Sequence, residues 1–312
     1  MPSCRVIFMG TPEFAVPALA SLHESDHEVL LVVTQPDRPK GRGKKIVPPP
    51  VKECALTYRY PIIQPESCNQ TDILSLFKEL HPDCFVVVAY GHILSESLLN
   101  IAPMGAINIH PSLLPKYRGP APIQWALING EHETGVTIMI MDKGIDTGPI
   151  VLSESEPVLS DDTAESLHDR LAKKGAKLLI RALDGLQTNT IQPCLQNDEL
   201  ATYAKLLRKN DGLIQWHEPA QKIVHFIQGM TPWPGAFTFL NDKRFKIYKA
   251  TCQNSDHNDT PGKVFQGFPG ELLVTTGHGV LSILEIQGSS GKRLPIEDFL
   301  RGFHISPDMI FK

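Results

Sequence analysis

Between Arg5 and about Leu186 the chain alternates short β-branched or apolar runs with segments whose apolar residues recur at helical spacing. That alternation leaves few folds open, because each strand must be covered by the helix that follows it. The strand-like runs are Arg5 to Met9, Glu28 to Thr34, Pro61 to Gln64, Cys84 to Ala89, Ala106 to His110 and Thr134 to Met141. Helical spacing marks Glu13 to Leu22, Thr71 to Leu80 and Ile123 to Asn129, and Asp161 to Glu165 opens an amphipathic helix reaching about Leu186. The expected fold is α/β, a Rossmann-like, mostly parallel sheet. Its first turn, Gly10-Thr11-Pro12, has one glycine where a dinucleotide site needs Gly-x-Gly-x-x-Gly, and no Walker-type phosphate loop is present. From about Gln187 the texture changes to a polar linker, with a short helix expected around Tyr203 to Leu207. Short strands broken by Pro and Gly follow (Phe245 to Ala250, Gly262 to Phe265, Leu272 to Thr275, Val280 to Ile286), the pattern of a small β-barrel. The expected division is 1–188, a linker at 189–207, and 208–312.

The candidate chemistry lies at the end of one strand. In Ala106-Ile107-Asn108-Ile109-His110-Pro111, side chains alternate faces, so Asn108 and His110 point one way while Ile107 and Ile109 point into a core. Pro111 ends the ladder and leaves both polar groups at the carboxyl edge, where open α/β sheets hold ligands. Thirty-six residues after His110 comes Asp146, in the turn Asp142-Lys143-Gly144-Ile145-Asp146-Thr147-Gly148. Amide, imidazole and carboxylate together suit acyl transfer. The bland alternative is that all three are turn and capping residues. A Ser112–His110–Asp146 hydrolase triad lacks a Gly-x-Ser-x-Gly elbow.

The second candidate feature is basic. Arg38 to Lys52 holds six cations (Arg38, Lys40, Arg42, Lys44, Lys45, Lys52) and no acid, interleaved with Gly and Pro. Such a stretch cannot bury an apolar face and is expected as an exposed loop after the second strand, on the same sheet edge as His110. A solvated connection is the plain reading; a phosphate-gathering loop is the functional one. The net charge of −4 does not by itself suggest a polyanionic partner, but it is uneven. Residues through Ala204 carry 17 Lys and Arg against 24 Asp and Glu, and the rest carry 13 against 10. Six cysteines without a Cys-x-x-Cys pair argue against a zinc module or a disulfide scaffold, and no metal is expected. No apolar run is long enough to span a membrane and no signal-peptide layout opens the chain, so a cytoplasmic place and no membrane partner are expected.

Asn108 to Gly119, with Ser112-Leu113-Leu114-Pro115 and Lys116-Tyr117-Arg118-Gly119-Pro120, resembles the signature of the folate-dependent formyltransferases, as does Asp142 to Gly148. Within that superfamily the likeness is to the methionyl-tRNA formyltransferase family and runs nearly the whole chain. It includes Arg5 to Ala15, Val33 to Arg42, Asp211 to Trp216 and Thr231-Pro232-Trp233-Pro234-Gly235-Ala236. The resemblance implies an OB-like fold for the second domain and catalytic roles for Asn108, His110 and Asp146. It implies 10-formyltetrahydrofolate as formyl donor, contacted by Ala89, Tyr90, Gly91, Ile93, Leu94, Ser112, Leu113, Leu114, Pro115 and Asp142. For the apolar members of that set, ordinary core packing is the competing account. It implies initiator methionyl-tRNA as partner, met by Arg38, Lys40, Arg42, Lys44 and Lys45 of the loop and by Lys205, Arg208 and Lys209, with Arg42 reading a base edge. A monomer is expected. Asp146 is expected to favour the His110 imidazolium. The alternatives are a formyltransferase acting on a small amino sugar or aminoribonucleotide, a formate-releasing hydrolase, and an RNA-binding module without catalysis.

Overall fold

The computed structural model describes residues 3–40, 43, 45–253, 259–265, 270–289, 291–307 and 309–312. The chain forms two compact units, the first made of Met1–Gly119, Glu133–Pro157 and His168–Tyr203. Pro120–His132, Val158–Leu167 and Ala204–Lys312 make the second.

The first unit starts with β1 (Arg5–Gly10), α1 (Val16–His23) and β2 (Glu28–Val33), followed by the hairpin β3 (Arg38–Lys40) and β4 (Lys45–Val47). Next come α2 (Pro50–Thr57), β5 (Ile62–Ile63), α3 (Thr71–Glu79), β6 (Cys84–Val88), α4 (Glu96–Leu99) and β7 (Ala106–His110). After α5 (Pro122–Ile128) the sheet is completed by β8 (Glu133–Ile140) and β9 (Ile150–Pro157), and α6 (Ala164–Gln187) follows. Its seven strands run in the order β5-β2-β1-β6-β7-β8-β9. The five from β5 to β7 are parallel, whereas β8 and β9 add antiparallel. The central strand β6, Cys-Phe-Val-Val-Val, is buried at every position, as a parallel strand covered on both faces must be. β9 alternates instead, so only one face needs to be apolar, and its Glu154 and Glu156 bond Lys174, Arg170 and Arg181 on α6. That low apolar content is why its sequence does not announce a strand. A Cβ added to Gly175 of α6 would stand 2.7 Å from Ile109 Cγ2, so the glycine lets the helix close on one face of β7 and leaves Asn108 and His110 on the other.

The second unit adds α7 (Ala220–Met230), β10 (Ala236–Leu240), β11 (Lys243–Gln253), β12 (Val264–Phe265), β13 (Leu272–Thr275), β14 (Val280–Gln287), β15 (Leu294–Pro295) and α8 (Ile296–Gly302). The sheet is antiparallel, ordered β10-β11-β14-β13-β12, with β15 on β14. The final residues join the two ends of that path. Phe239 on β10 and Lys312 exchange backbone hydrogen bonds of 2.9 Å, while Val264 N–H donates to the Met309 carbonyl and Phe311 N–H to that of Gly262. Phe245 is the centre of the core, edge-on to Phe299, Phe303 and Phe311. Trp216 stacks on Phe311 and donates its indole N–H to Thr238 Oγ1.

Three findings depart from the sequence expectation. The segments 120–132 and 158–167, both inside the expected first domain, are part of the second unit, and Ala121, Trp125 and Ile128 enter that unit's core. Gly229 of α7 permits this, since a Cβ there would lie 2.6 Å from Ile128 Cγ1 and 2.7 Å from the Gln124 carbonyl. No helix forms around Tyr203 to Leu207; the flanking turns are 3₁₀, at Asp198–Leu200 and Lys209–Gly212. The expected linker is extended, but its 194–203 portion is hydrogen-bonded along the first unit.

Candidate active site

β7 sits between β6 and β8, with Asn108 opposite Val87 and Met139 and His110 opposite Thr137. The imidazole of His110 is 5% exposed. Its Nε2 lies 3.0 Å from the Tyr117 carbonyl, and its Nδ1 lies 3.5 Å from Asp146 Oδ2. A carbonyl only accepts, so Nε2 carries a proton and the neutral ring presents a bare Nδ1 toward the carboxylate. Asp146 Oδ2 accepts the Gly119 N–H at 2.7 Å, which fixes the carboxylate without supplying a proton to share with His110. Asn108 is half-buried, and no hydrogen bond to another described residue engages its amide. The strand thus brings together an amide free to donate, a ring nitrogen free to accept and a fixed negative charge.

The expected direction of tuning is corrected by burial. Removal from water lowers the His110 pKa below its ordinary value and outweighs the two raising influences, the Asp146 charge and the Tyr117 carbonyl. Near neutral pH the ring is therefore neutral and able to take a proton. Asp146 then acts on the cation that this creates.

The turns around the trio adopt costly backbone. Ala89 (φ 46°), Tyr117 (φ 62°) and Asp146 (φ 54°) are all left-handed without being glycine, a conformation that clusters where geometry serves function. Ser112 is fully buried, donates to the Lys116 carbonyl at 2.6 Å and accepts from Thr137 at its own carbonyl, which makes it a turn brace and no nucleophile. Leu114 is buried and its N–H donates to Thr137 Oγ1, with Leu113 and Pro115 half-buried beside it. Asp142 binds its own loop through Gly144 N–H at 2.9 Å and Thr147 Oγ1 at 2.7 Å.

Of the residues expected to contact folate beyond β6, Ala89, Gly91 and Ile93 are exposed, Ile93 at 90%. Tyr90 and Leu94 are core residues. The Tyr90 ring is buried with its hydroxyl on Cys68 Sγ, and its carbonyl already accepts from Thr11 Oγ1 and Gln35 Nε2, both at 3.0 Å. Burial and the Cys68 contact push its phenol well above the usual range.

The basic stretch is a hairpin on a braced stem. Lys52 Nζ bonds both Asp37 oxygens at 2.8 Å, and Gln64 Nε2 reaches Asp37 Oδ1 and the Gln35 carbonyl. Lys52 is thereby neutralised, and it holds the Asp37 carboxyl below the ordinary range. Arg38 and Lys45 are exposed on β3 and β4; Lys40 closes the pairing with Lys45; Arg42 and Lys44 lie outside the described residues. In the second unit Lys205, Arg208 and Lys209 are exposed, with Lys205 Nζ 5.5 Å above the Trp125 ring. Among the described residues no group of three or more His, Cys, Asp or Glu is placed to hold a metal, and no helix is long and apolar enough to cross a membrane.

Sequence reasoning missed the backbone partners Tyr117 and Gly119 and the side chains Arg118 and Gln196. The first three lie within the signature stretch Asn108 to Pro120; a backbone role such as that of Tyr117 or Gly119 has no residue-type signal, and that of the Arg118 guanidinium depends on Gln196 and Asp198, about eighty residues away. Gln196 lies in polar chain read as linker, and nothing local marks it.

The Formyl transferase family profile matches residues 4–183, and the Formyl transferase, C-terminal domain profile matches 206–304. A methionyl-tRNA formyltransferase of Caldanaerobacter subterraneus subsp. tengcongensis is 48% identical over 309 residues, 99% of this chain and 100% of the relative. One of Citrifermentans bemidjiense is 46% identical over 307 residues, 98% and 96% of the two chains. Among solved structures, HypX from Aquifex aeolicus in complex with tetrahydrofolic acid aligns with a TM-score of 0.64 at 15% identity, over 99% of this chain and 51% of HypX. An N-formyltransferase from Helicobacter canadensis, in complex with folinic acid and dTDP-3-aminofucose, aligns with a TM-score of 0.63 at 20% identity, over 89% and 98%. At those identities the structural likeness is one of fold.

Proposed function

Since this chain belongs to the methionyl-tRNA formyltransferase family, we propose that Asn108, His110 and Asp146 carry out its reaction, with 10-formyltetrahydrofolate as donor and initiator methionyl-tRNA as the preferred acceptor. The enzyme transfers a formyl group to the amino group of methionyl-tRNA. The observation that carries the assignment of residues is the state of His110: Nε2 spent on the Tyr117 carbonyl, Nδ1 bare and 3.5 Å from a fixed carboxylate.

In the transfer a bond forms between the amine nitrogen and the formyl carbon, the bond from that carbon to N10 breaks, and one proton passes from the amine to N10. His110 Nδ1 takes that proton and returns it to the leaving nitrogen, so the ring is neutral before and after. Asp146 stabilises the imidazolium that exists between the two events. Asn108 donates its amide N–H to the formyl oxygen as negative charge develops there, commonly the largest single contribution in acyl transfer. A formyl-bearing folate fits the chain's own groups: an unengaged amide, a bare ring nitrogen, and the exposed Ala89, Gly91 and Ile93 at the end of β6.

Acceptor binding is assigned to Arg38, Lys40, Arg42, Lys44 and Lys45 of the basic stretch and to the second unit's Lys205, Arg208 and Lys209, through phosphate contacts that fix position and Arg42 as base reader. An acceptor used in translation supports the cytoplasm as the place of action.

The test is transfer from 10-formyltetrahydrofolate to methionyl initiator tRNA, methionyl elongator tRNA and an aminoribonucleotide, for wild type and His110→Ala. Initiator-selective transfer that collapses in the variant is expected. Transfer to the small amine alone, or formate release without acceptor, overturns the acceptor assignment, and full activity of His110→Ala overturns the site.

A further inference from the structure

The extended chain after α6 returns to the active site as a strap. Cys194 exchanges two backbone hydrogen bonds of 2.8 Å with Ile150 at the start of β9. Eight residues on, Thr202 accepts the Arg118 N–H at its carbonyl (2.8 Å) and the Tyr117 N–H at Oγ1 (2.9 Å). Between these anchors the Gln196 amide is fully used. Its Nε2 donates to the carbonyls of Asp146 and Gly148, each at 2.8 Å, and its Oε1 accepts from Arg118 Nε and Nη2 at 3.1 and 2.8 Å. Only one orientation of the amide serves both sides, because carbonyls only accept and a guanidinium only donates. Arg118 is 2% exposed and is also held by Asp198 Oδ1 at 2.7 Å.

What Gln196 joins is specific. The neighbours of Arg118 in sequence are the two groups that grip the reacting pair: the Tyr117 carbonyl on His110 and the Gly119 N–H on Asp146. Gln196 ties the backbone of Asp146 to that same turn. The contacts form a closed circuit from His110 through Tyr117, Arg118 and Gln196 to Asp146 and back across the 3.5 Å gap. Asp146 itself is in the left-handed region, a conformation that a free loop of an L-residue disfavours and that its surroundings must hold.

We propose that Gln196 is a positioning residue for formyl transfer: it holds the Asp146 loop against the Arg118 turn and so maintains the distance from the carboxylate to His110 Nδ1. The inference rests on His110 and Asp146 being the reacting pair. The competing account is that Gln196 only tacks the strap down, and two substitutions separate the accounts. Gln196→Ala removes both sets of bonds. Gln196→Glu keeps acceptors for Arg118, and hence the docked strap, but turns oxygen instead of N–H toward the two carbonyls.

Both variants are to be assayed for methionyl-tRNA formylation across pH, beside wild type and His110→Ala, with circular dichroism and thermal unfolding as the check on fold. Gln196 is half-buried in an otherwise exposed segment, so both variants are expected to fold. Expected is a fall in kcat of about 10- to 100-fold, the scale of a misplaced catalytic group, with KM little changed. The acid limb of kcat/KM moves to lower pH, because a receding Asp146 no longer raises the His110 pKa. Wild-type kcat and an unmoved limb in both variants, with His110→Ala inactive, overturn this inference alone. A kcat loss with an unmoved limb assigns Gln196 a structural role and overturns it too. An active His110→Ala overturns the site assignment and the inference with it.

Discussion

Asp146→Asn separates charge from geometry at the active site. The carboxylate Oδ2 both accepts from Gly119 N–H and faces His110 Nδ1, and an asparagine Oδ1 in its place still accepts from Gly119. The loop therefore stays where it is and the full negative charge goes. At 3.5 Å and an effective dielectric of about 20, the lost attraction for an imidazolium is about 5 kcal/mol gross. The asparagine carbonyl dipole still faces Nδ1 and recovers part of that attraction, so the net loss is about 3–4 kcal/mol, which is about 10²- to 10³-fold in rate. Since Asp146 raises the His110 pKa, its neutralisation also moves the acid limb of kcat/KM to lower pH. Single-turnover formylation of methionyl-tRNA at saturating folate and tRNA reads the chemical step, and thermal unfolding reads the fold. A variant that folds normally and keeps kcat within about threefold of wild type, with its limb unmoved, refutes the role given to the carboxylate.

Other perturbations have equally definite outcomes. Because burial depresses the folded pKa of His110, the unfolded chain binds its proton first as pH falls; stability is therefore lost as pH drops through the usual histidine range. Denaturation of wild type against His110→Asn from about pH 8 to about pH 5 shows a steeper loss in wild type, because His225, whose pKa burial also lowers, contributes equally to both. Gly148→Ala drives a Cβ into the Ile140 carbonyl oxygen, a backbone atom that cannot yield, so it costs about 1–3 kcal/mol in thermal unfolding and lowers kcat by displacing Asp146. Arg38→Ala with Lys45→Ala weakens tRNA binding and lowers the slope of log K against log salt by about one for each cation–phosphate pair removed, measured by filter binding at several ionic strengths. Phe245→Ala empties the centre of the second unit's core, and chemical denaturation is expected to show a loss of about 3–5 kcal/mol.

Where an element's own apolar pattern decides its structure, the sequence was legible. Ala106–His110 and Leu272–Thr275 form strands at the expected residues, and α6 runs within three residues of expectation, because alternation or helical spacing specifies each without help. The polar edge strand β9 and the short helices α2 and α4 were not legible, since tertiary contact overrides weak local preference there. At the site, residue type pointed to Asn108, His110 and Asp146, and strand alternation told which way two of them face. The net effect on His110 was not legible, because burial outweighs the neighbouring charge and burial is a property of the fold. Nor was Gln196, whose role depends on two carbonyls about fifty residues away.

The placement of α5 has a consequence for dissection of the molecule. A helix encoded between two strands of the first unit's sheet supplies Trp125 and Ile128, and the residue before it Ala121, to the core of the second. Neither unit is a contiguous gene segment. A fragment beginning after the expected linker lacks the helix that Gly229 is shaped to receive, and one ending before it carries that helix with its apolar side uncovered. During synthesis, α5 leaves the ribosome some ninety residues ahead of α7, and until α7 follows, its side of the seam is exposed surface.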